Sequence, residues 1–541
     1  MCNEREIFLG ADDPLTKRRF HLGPIRLWLL AGLLAGVVTL AQSFDQTGNT
    51  DWLMQNKGLA LLGLCLRIPL YFVLFRLAWQ ALRAGASGPL PKWLQKRPAL
   101  RLSALIYLCW LPWYVCLFPG TVSNDSITQL RMVMGLAPLS NGNPICQTAL
   151  VGLFRWLGLA IAQSADLGVA LYCLSQSLLM ASLLALVCIE MHTSGVPHWL
   201  FWLSVGFYAL MPVFPVFAFC VGKDTNFAMA VLWLSLLVWQ CLRGRAHPVR
   251  MLLAAALCAA LRNAGAWLAA LTLGILLIQS IRQRQSKRPA LFGLMGVAAM
   301  YIAVQLILLP VLNAAPTPET EEWSVPLQQV ARAAVGQKLT DEEWAAVDRV
   351  LPLEDIQKQY NGQLSDPVKN LWREEASDED KRAFFRVWLT LLRREPFTCL
   401  SATFHKTYGY LTPGFMSTIK PTLIIGDQTG RIATVKGYYD YTINPLSAPL
   451  KQGLEQLRPF APWRVMISPG LYGWIVLLGL VCLMGKPGRR YLVCLTPALF
   501  TLAGCMLSAV NGYFRYAMPL YVSAPFLLML MAHAHPSFLQ E

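Results

Sequence analysis

Residues 118–148 read FPGTVSNDSITQLRMVMGLAPLSNGNPICQT, and this polar stretch follows directly on an apolar run, residues 102–117. Pro119-Gly120 and Pro138 stop helices, which sets the polar groups at a membrane surface and not within a span. Asn124-Asp125-Ser126 is suited to cap a short helix reaching about Met134. Such a helix would hold the Asp125 carboxylate at a fixed depth beside lipid. The stretch is read as the floor of a candidate active site. The plainer alternative is an ordinary loop with one capping aspartate.

The rest of the chain supports a membrane setting. Of 541 residues, 55% are hydrophobic and 14% charged, whereas soluble domains carry about 25% charged residues. Several runs reach the roughly 20 apolar residues that cross a bilayer. The 14 cysteines are scattered, mostly in apolar runs, without a CxxC pair, so neither a disulfide framework nor a zinc site is expected. The 30 acidic and 46 basic residues are unevenly placed: 19 and 18 of them fall in residues 313–464, leaving 11 and 28 elsewhere. The basic excess therefore belongs to membrane loops. It points to anionic lipid and a positive-inside topology, not to nucleic acid.

Residues 1–21 are polar and end in Lys17-Arg18-Arg19, a cytoplasmic anchor. Spans are expected at about 23–41 and 58–82, followed by a basic inner linker with Arg83, Lys92, Lys96, Arg97 and Arg101. The span at 102–117 then delivers Asp125 to the outer side. Residues 144–163 are apolar but short, with Arg155 at the middle, and an amphipathic helix lying at the interface is expected there. Spans at about 167–190, 199–221 and 227–242 follow. In 251–281, basic clusters at both ends and Arg262-Asn263 in the middle predict two short spans meeting near the outer face. An unpaired arginine at mid-membrane would cost about 2.5–3.5 kcal/mol. A further span is expected at about 290–312.

Residues 313–464 are too long for a plain loop and are read as a mainly helical extracytoplasmic insert. Thr340-Asp341-Glu342-Glu343 is a capping box. Ser377 opens a stronger helix with apolar Phe384, Phe385, Val387, Trp388, Leu391 and Leu392, ending at Arg393-Arg394 before Pro396. Residues 422–441 suggest a hairpin. Spans at about 465–484, 491–510 and 516–531 close the chain, with Lys486, Arg489 and Arg490 inside and residues 511–515 outside. The expectation is an all-α polytopic membrane protein of about 12 transmembrane helices, both termini cytoplasmic. Its parts are 1–101, a core at 102–312 with the outer loop 118–163, the insert at 313–464, and three helices in 465–541.

That topology gathers Asp125, Lys223, Asp224, Arg262, Asn263, Tyr408, Tyr410 and Arg515 on one side. Each alone has an ordinary explanation: Lys223-Asp224 as interfacial snorkel and cap, Arg262 as a structural ion pair, Arg515 as an anchor. His405 is read as structural. Together, two carboxylates and three cations at one water–lipid boundary suit an anionic lipid-linked substrate. A carboxylate can take a proton from an acceptor hydroxyl or orient a divalent cation, Mg or Mn, which makes Asp125 a candidate metal ligand. Lys223, Arg262 and Arg515 can hold a phosphate.

With these residues in view, the chain resembles the GT-C class of polytopic glycosyltransferases, and more closely a bacterial GT-C-like branch. The resemblance rests on PGTVSNDSITQ (119–129), LSNGNP (139–144), GKDTNF (222–227), LRNAG (261–265), SVPLQQVAR (324–332), SDPVKN (365–370), YGYLTPG (408–414) and RYAMP (515–519). It implies a polyprenyl-phosphate sugar donor and outer-leaflet chemistry. It maps the essential acid of the class onto Asp125, and the class's interfacial helices onto 126–134 and 144–163. The chain departs from that pattern in three ways. The acid follows the third span, Gly142-Asn143-Pro144 stands where His-His-Pro is frequent, and Ser126 stands where a second acid would follow Asp125.

The expected function is transfer of a sugar from a polyprenyl-phosphate-linked donor to an envelope glycan, lipid or protein acceptor at the bacterial inner membrane, outside the cytoplasm. Asp125 is the candidate base or metal ligand and Asp224 a second acid. Asn263, Tyr408 and Tyr410 are candidate substrate-binding residues beside the three cations. The alternatives are a transporter or flippase, a glycan polymerase or ligase, and a non-enzymatic assembly factor. A transporter should show repeated halves, and none stand out.

Overall fold

The computed structural model describes residues 22–82, 84–245, 247–417, 444–485 and 488–533. The polar N-terminus, Arg83, the 422–441 hairpin and Lys486 lie outside the described residues. Helices dominate: α1 (Leu22–Thr47), α2 (Lys57–Ala81), α3 (Pro98–Leu117), α4 (Asn124–Val133), α5 (Ile145–Ala162), α6 (Ala165–Thr193), α7 (His198–Leu210), α8 (Lys223–Leu242), α9 (Pro248–Leu261), α10 (Asn263–Arg282) and α11 (Arg288–Ile302). Then come α12 (Ser324–Val335), α13 (Asp378–Arg394), α14 (Pro396–Thr407), α15 (Pro469–Leu483), α16 (Leu492–Leu507) and α17 (Phe514–His533). Two short strands, β1 (Thr121–Val122) and β2 (Cys220–Val221), pair in parallel.

The chain is an all-α, multi-pass membrane protein. Among the described residues, 10 helices are long and apolar enough to cross a bilayer, or up to 11 with the bent pair at Ser468. Burial sorts them. Only 6% of the apolar window of α2 is buried, against 72% for α8 and 89% for α17. Leu59, Leu62, Leu66, Leu70, Leu74 and Leu77 on α2 all stand exposed. A helix so apolar and so bare is stable only with lipid around it. α17 and α8 form the centre.

The break expected near Arg262 is present, with α9 and α10 separated by Arg262 in an extended conformation. α5 is long enough to count among the candidate spans, and it packs on the start of α6. Gln147 bonds Tyr172 at 2.8 Å, the Phe154 and Tyr172 rings are 5.3 Å apart, and Gly158 packs on Gly168. Every one of these partners falls in the first turns of α6.

Three expectations need correction. The span at 199–221 is broken: α7 ends at Leu210, Met211 is extended before Pro212, and a separate short helix Val213–Ala218 follows. A residue before proline is pushed out of the helical region. The span at 465–484 bends by 62° at Ser468, ahead of Pro469. The cap of α4 is Ser123, whose Oγ accepts from the Ser126 N–H at 3.3 Å, and not Asn124.

Residues 313–464 contain no long apolar helix among those described. They build a second core, with Leu327, Val330, Val347, Leu353, Phe384 and Leu391 fully buried around one another. The Thr340–Glu343 capping box forms, and α13 buries Phe384, Val387 and Leu391. This upper unit sits over the end of the bundle where α8, α10 and α17 begin. The far ends of α8, α10 and α17 and the adjoining turns carry Arg243, Arg245, Arg282, Arg489 and Arg490.

Gly120 lets the chain turn tightly from α3 into β1. Its φ is +140°, and a Cβ there would lie 2.3 Å from Cys173 Sγ and 3.2 Å from the Phe219 carbonyl oxygen. Gly36, within α1, has open space around it. Gly120→Ala is therefore expected to lower stability by about 1–3 kcal/mol, while Gly36→Ala causes no loss. Thermal unfolding of the two variants in detergent checks this.

Candidate functional site

Four helices start at one place. Asp125 is in the first turn of α4, Lys223 and Asp224 open α8, Arg262 immediately precedes α10, and Arg515 lies in the first turn of α17. The β1–β2 pair aligns two of these starts, with Thr121 opposite Cys220 and Val122 opposite Val221. Ser126 Oγ donates to the Val221 carbonyl at 2.6 Å, locking α4 against the entry to α8. Buried Gln176 on α6 donates to the carbonyls of Phe217, Ala218 and Cys220 at 3.2, 2.9 and 2.9 Å, fixing the same turn from behind.

The five charged side chains meet. Arg515 bridges both carboxylates: Nη2 donates to Asp125 Oδ2 at 2.6 Å and Nε to Asp224 Oδ2 at 2.6 Å. Lys223 Nζ lies 3.1 Å from Asp125 Oδ2 and donates to Asn143 Oδ1 at 2.9 Å. Arg262 Nη1 is 3.9 Å from Asp224 Oδ1, too far for a hydrogen bond. Its guanidinium rests over the Tyr516 ring at 4.8 Å and the Phe227 ring at 5.6 Å. Its donors are not used up by Asp224.

Exposure grades across the site. The Arg515 and Asp224 side chains are 7% and 6% exposed, and Arg262 and Asp125 23% and 31%. Arg515 and Asp224 form the floor; Asp125, Lys223 and Arg262 form the rim.

Three cations against two carboxylates leave a surplus of one positive charge. Helix N-termini add partial positive charge from their free N–H groups. The carboxylates suit those positions, but cations there are disfavoured by about 0.3–1 kcal/mol each. The place is thus more positive than folding alone would favour. Burial by itself would raise the Asp125 carboxyl, but Lys223 and Arg515 hold it well below the usual carboxylate range.

Cations surround both carboxylates of this donor set. Asp125 Oδ2 is already shared by Lys223 and Arg515, and a metal ion would enter against three fixed positive charges. Among the described residues, no group of three His, Cys, Asp or Glu side chains comes together.

Other expected site residues go elsewhere. Asn263 Nδ2 donates to Thr317 Oγ1 at 2.7 Å and to the Asn141 carbonyl at 3.2 Å, tying α10 to the 140–141 segment. Tyr410 is fully buried, and its hydroxyl donates to the Val510 carbonyl at 2.9 Å and accepts from the Tyr513 N–H at 3.2 Å. It shapes the loop that leads into Arg515 and does not face the cluster. Tyr408 donates to Asp45 at 3.3 Å beside a cavity of about 650 Å³, walled by α1, the 412–416 turn, Glu455, Arg458 and Arg464. His405 faces Arg332, with Nδ1 3.2 Å from Nη1.

Sequence reasoning missed Asn143, the β1–β2 clamp and the 508–513 loop. Asn143 meets Lys223, and its amide oxygen does what a neutral acceptor can do for that cation. Nothing in the local sequence marks the strand pair, because its halves are two residues each.

The chain belongs to a family of unknown function, DUF6020, whose match covers residues 135–541, about three quarters of its length. No curated protein and no solved structure matches it. The matched segment includes Lys223, Asp224, Arg262 and Arg515, and Asp125 with β1 lies just ahead of it.

Arg515→Met leaves buried Asp224 without its hydrogen-bonded cation and with only Arg262 at 3.9 Å, which is expected to destabilise the protein by about 3–5 kcal/mol. Adding Asp224→Leu should recover much of that loss. A double-mutant cycle on thermal unfolding checks the coupling; additive losses would show that the bridge is not what holds the floor.

Proposed function

We propose that the cluster holds the phosphate of a lipid-linked sugar, and that the protein is a GT-C-like membrane glycosyltransferase. The single observation that carries the reading is the surplus cation at four converging helix starts. On this reading the donor is a polyprenyl-phosphate-linked sugar, and the acceptor is an envelope glycan, lipid or protein. The basic far end of the bundle supports a cytoplasmic placement for that end. The site then faces the exterior or periplasm across about 12 spans of a bacterial inner membrane, with residues 313–464 outside.

The step is a displacement at the anomeric carbon. The acceptor oxygen forms a bond to that carbon. The bond from the carbon to the phosphate oxygen breaks, and its electron pair leaves with the phosphate. Lys223, Arg262 and Arg515 stabilise the growing charge. The acceptor proton goes to Asp125. In the resting site Asp125 is a poor base, since two cations hold its proton affinity down. An arriving phosphate competes for Lys223 and Arg515, and that raises the proton affinity of the carboxylate when the acceptor is present.

Two measurements test this. Purified protein, supplied with radiolabelled polyprenyl-phosphate sugars and an envelope-glycan fraction, should transfer sugar; Asp125→Asn should lose about 100-fold or more while inserting normally. Equal transfer by both proteins would remove Asp125 from the chemistry. Lipid flipping without transfer would favour the transporter alternative.

In the pH profile, the Asp125 limb should be missing from kcat/KM between pH 4 and 8, because the free site keeps the carboxylate ionised throughout. It should reappear in kcat, which reports the bound complex. An acid limb of equal position in both would contradict the proposed coupling.

A further inference from the structure

Lys406 on α14 is fully buried, at 0% exposure. A lysine in such a place normally faces a carboxylate. The nearby ion pairs go past it: Lys369 takes Glu321 at 2.7 Å and Asp366 at 3.8 Å. Lys406 Nζ instead donates to Ser324 Oγ at 2.9 Å, at the start of α12. Ser324 Oγ is 3.0 Å from Ser365 Oγ and 3.3 Å from the Ser508 carbonyl. Ser365 gives both its hydroxyl and its N–H to the Ala509 carbonyl, at 3.1 and 2.8 Å. The hydroxyls are fully buried, so the amine is out of reach of any substrate. What it reaches is the 508–513 loop, which Tyr410 also grips and which ends two residues before Arg515.

We propose that Lys406 is a positioning residue: as a neutral amine it completes the Ser324–Ser365 chain that fixes residues 508–513, and its protonation loosens that loop and with it Arg515. The consequence for anion binding rests on the reading of Arg515 as a phosphate-holding residue; the loop itself does not.

Burial pushes the Lys406 amine down to about 7, and the Lys369 charge acts in the same direction. Among the described residues, the other ionisable groups around it supply no compensating negative charge. Lys369 keeps its own acids, Arg332 faces His405, and the Tyr410 hydroxyl is engaged with Val510. The sign follows. When the loop region opens, Lys406 regains its ordinary affinity for a proton, which the closed state refuses. Between the two values, opening becomes up to tenfold more frequent for each unit that pH falls, and it levels off below about 7.

The test uses the full-length protein in nanodiscs. Hydrogen exchange of peptides covering residues 508–516 is followed from pH 6.5 to 9 and corrected for the chemical rate. Wild type should open at least threefold more per unit of falling pH between 9 and 7. Lys406→Met should abolish the slope. Lys406→Arg, charged throughout, should open more at every pH and show no slope. Ser324→Ala keeps the lysine but cuts the chain, so the slope should vanish at 508–516 and persist in α14, which covers the case in which Lys406→Met does not fold. A flat wild-type profile, or a wild-type slope surviving in Lys406→Met or at the loop in Ser324→Ala, overturns the proposal.

A short polyprenyl phosphodiester, which does not titrate in this range, separates the two readings. Its affinity should weaken severalfold from pH 8.5 to 6.5 in wild type and not in Lys406→Met. A loop slope with unchanged affinity supports the positioning role and overturns the anion role of Arg515 instead.

Discussion

One guanidinium holds the centre of this molecule. Arg515 reaches Asp125 on α4 with one nitrogen and Asp224 on α8 with another, so three helix starts are fixed by a single side chain. A buried charge of this kind adds little net stability, because desolvation offsets most of the attraction. Its removal costs much more, because it strands Asp224 in the floor. The arrangement specifies geometry more than it stabilises the fold. Only arginine can do this: lysine is a point donor and cannot reach two acids in a planar fork.

The upper unit is then more than a cover. Ser324, Ser365 and Tyr410 come from three separate segments, and each bonds the backbone of residues 508–513. Gln363 accepts from the Asn511 N–H at 2.9 Å, and the Asn511 side chain accepts from the Gly409 N–H at 2.8 Å. A loop so short, entering the most buried helix of the bundle, has little freedom left. The position of Arg515 is therefore set from outside the bundle as well as from within it.

Much of the site could be read from the chain because charge is conspicuous among apolar residues. Asp125, Lys223-Asp224, Arg262 and Arg515 stood out for that reason, and topology alone put them on one side. The break at Arg262 was legible from the cost of burying an arginine. What could not be read was pairing. Nothing local says that Arg515 prefers two acids, that Thr121 lies opposite Cys220, or that Asn143 meets Lys223. The burial of Tyr408 and Tyr410 could not be read either: in a Gly- and Pro-rich turn nothing local says that Tyr408 packs against Ala41 and Phe44 of α1 and Tyr410 in the core of the bundle. The break at Pro212 was hidden by continuous hydrophobicity, which measures transfer to lipid and not backbone geometry. Lys406 gave no signal at all: one lysine in a charged segment looks like every other until its surroundings are known.

The surplus charge also bears on the order of events in the proposed chemistry. With no anion present, each rim cation satisfies itself as far as it can, and Asp125 is the group that pays in basicity. Lys223 has a second partner in Asn143, and Arg262 has two aromatic faces. Both can therefore turn toward a phosphate without losing all their contacts. Arg515 has less latitude, because Asp224 and the 508–513 loop restrain it. An incoming phosphate would thus be met first by Lys223 and Arg262 at the rim and completed by Arg515 at the floor. Only after that redistribution does Asp125 recover the proton affinity a base requires. On the proposed reading, the donor has to be seated before the acceptor can be activated, and the same ion pairs that hold the empty site together keep it from activating water in the meantime.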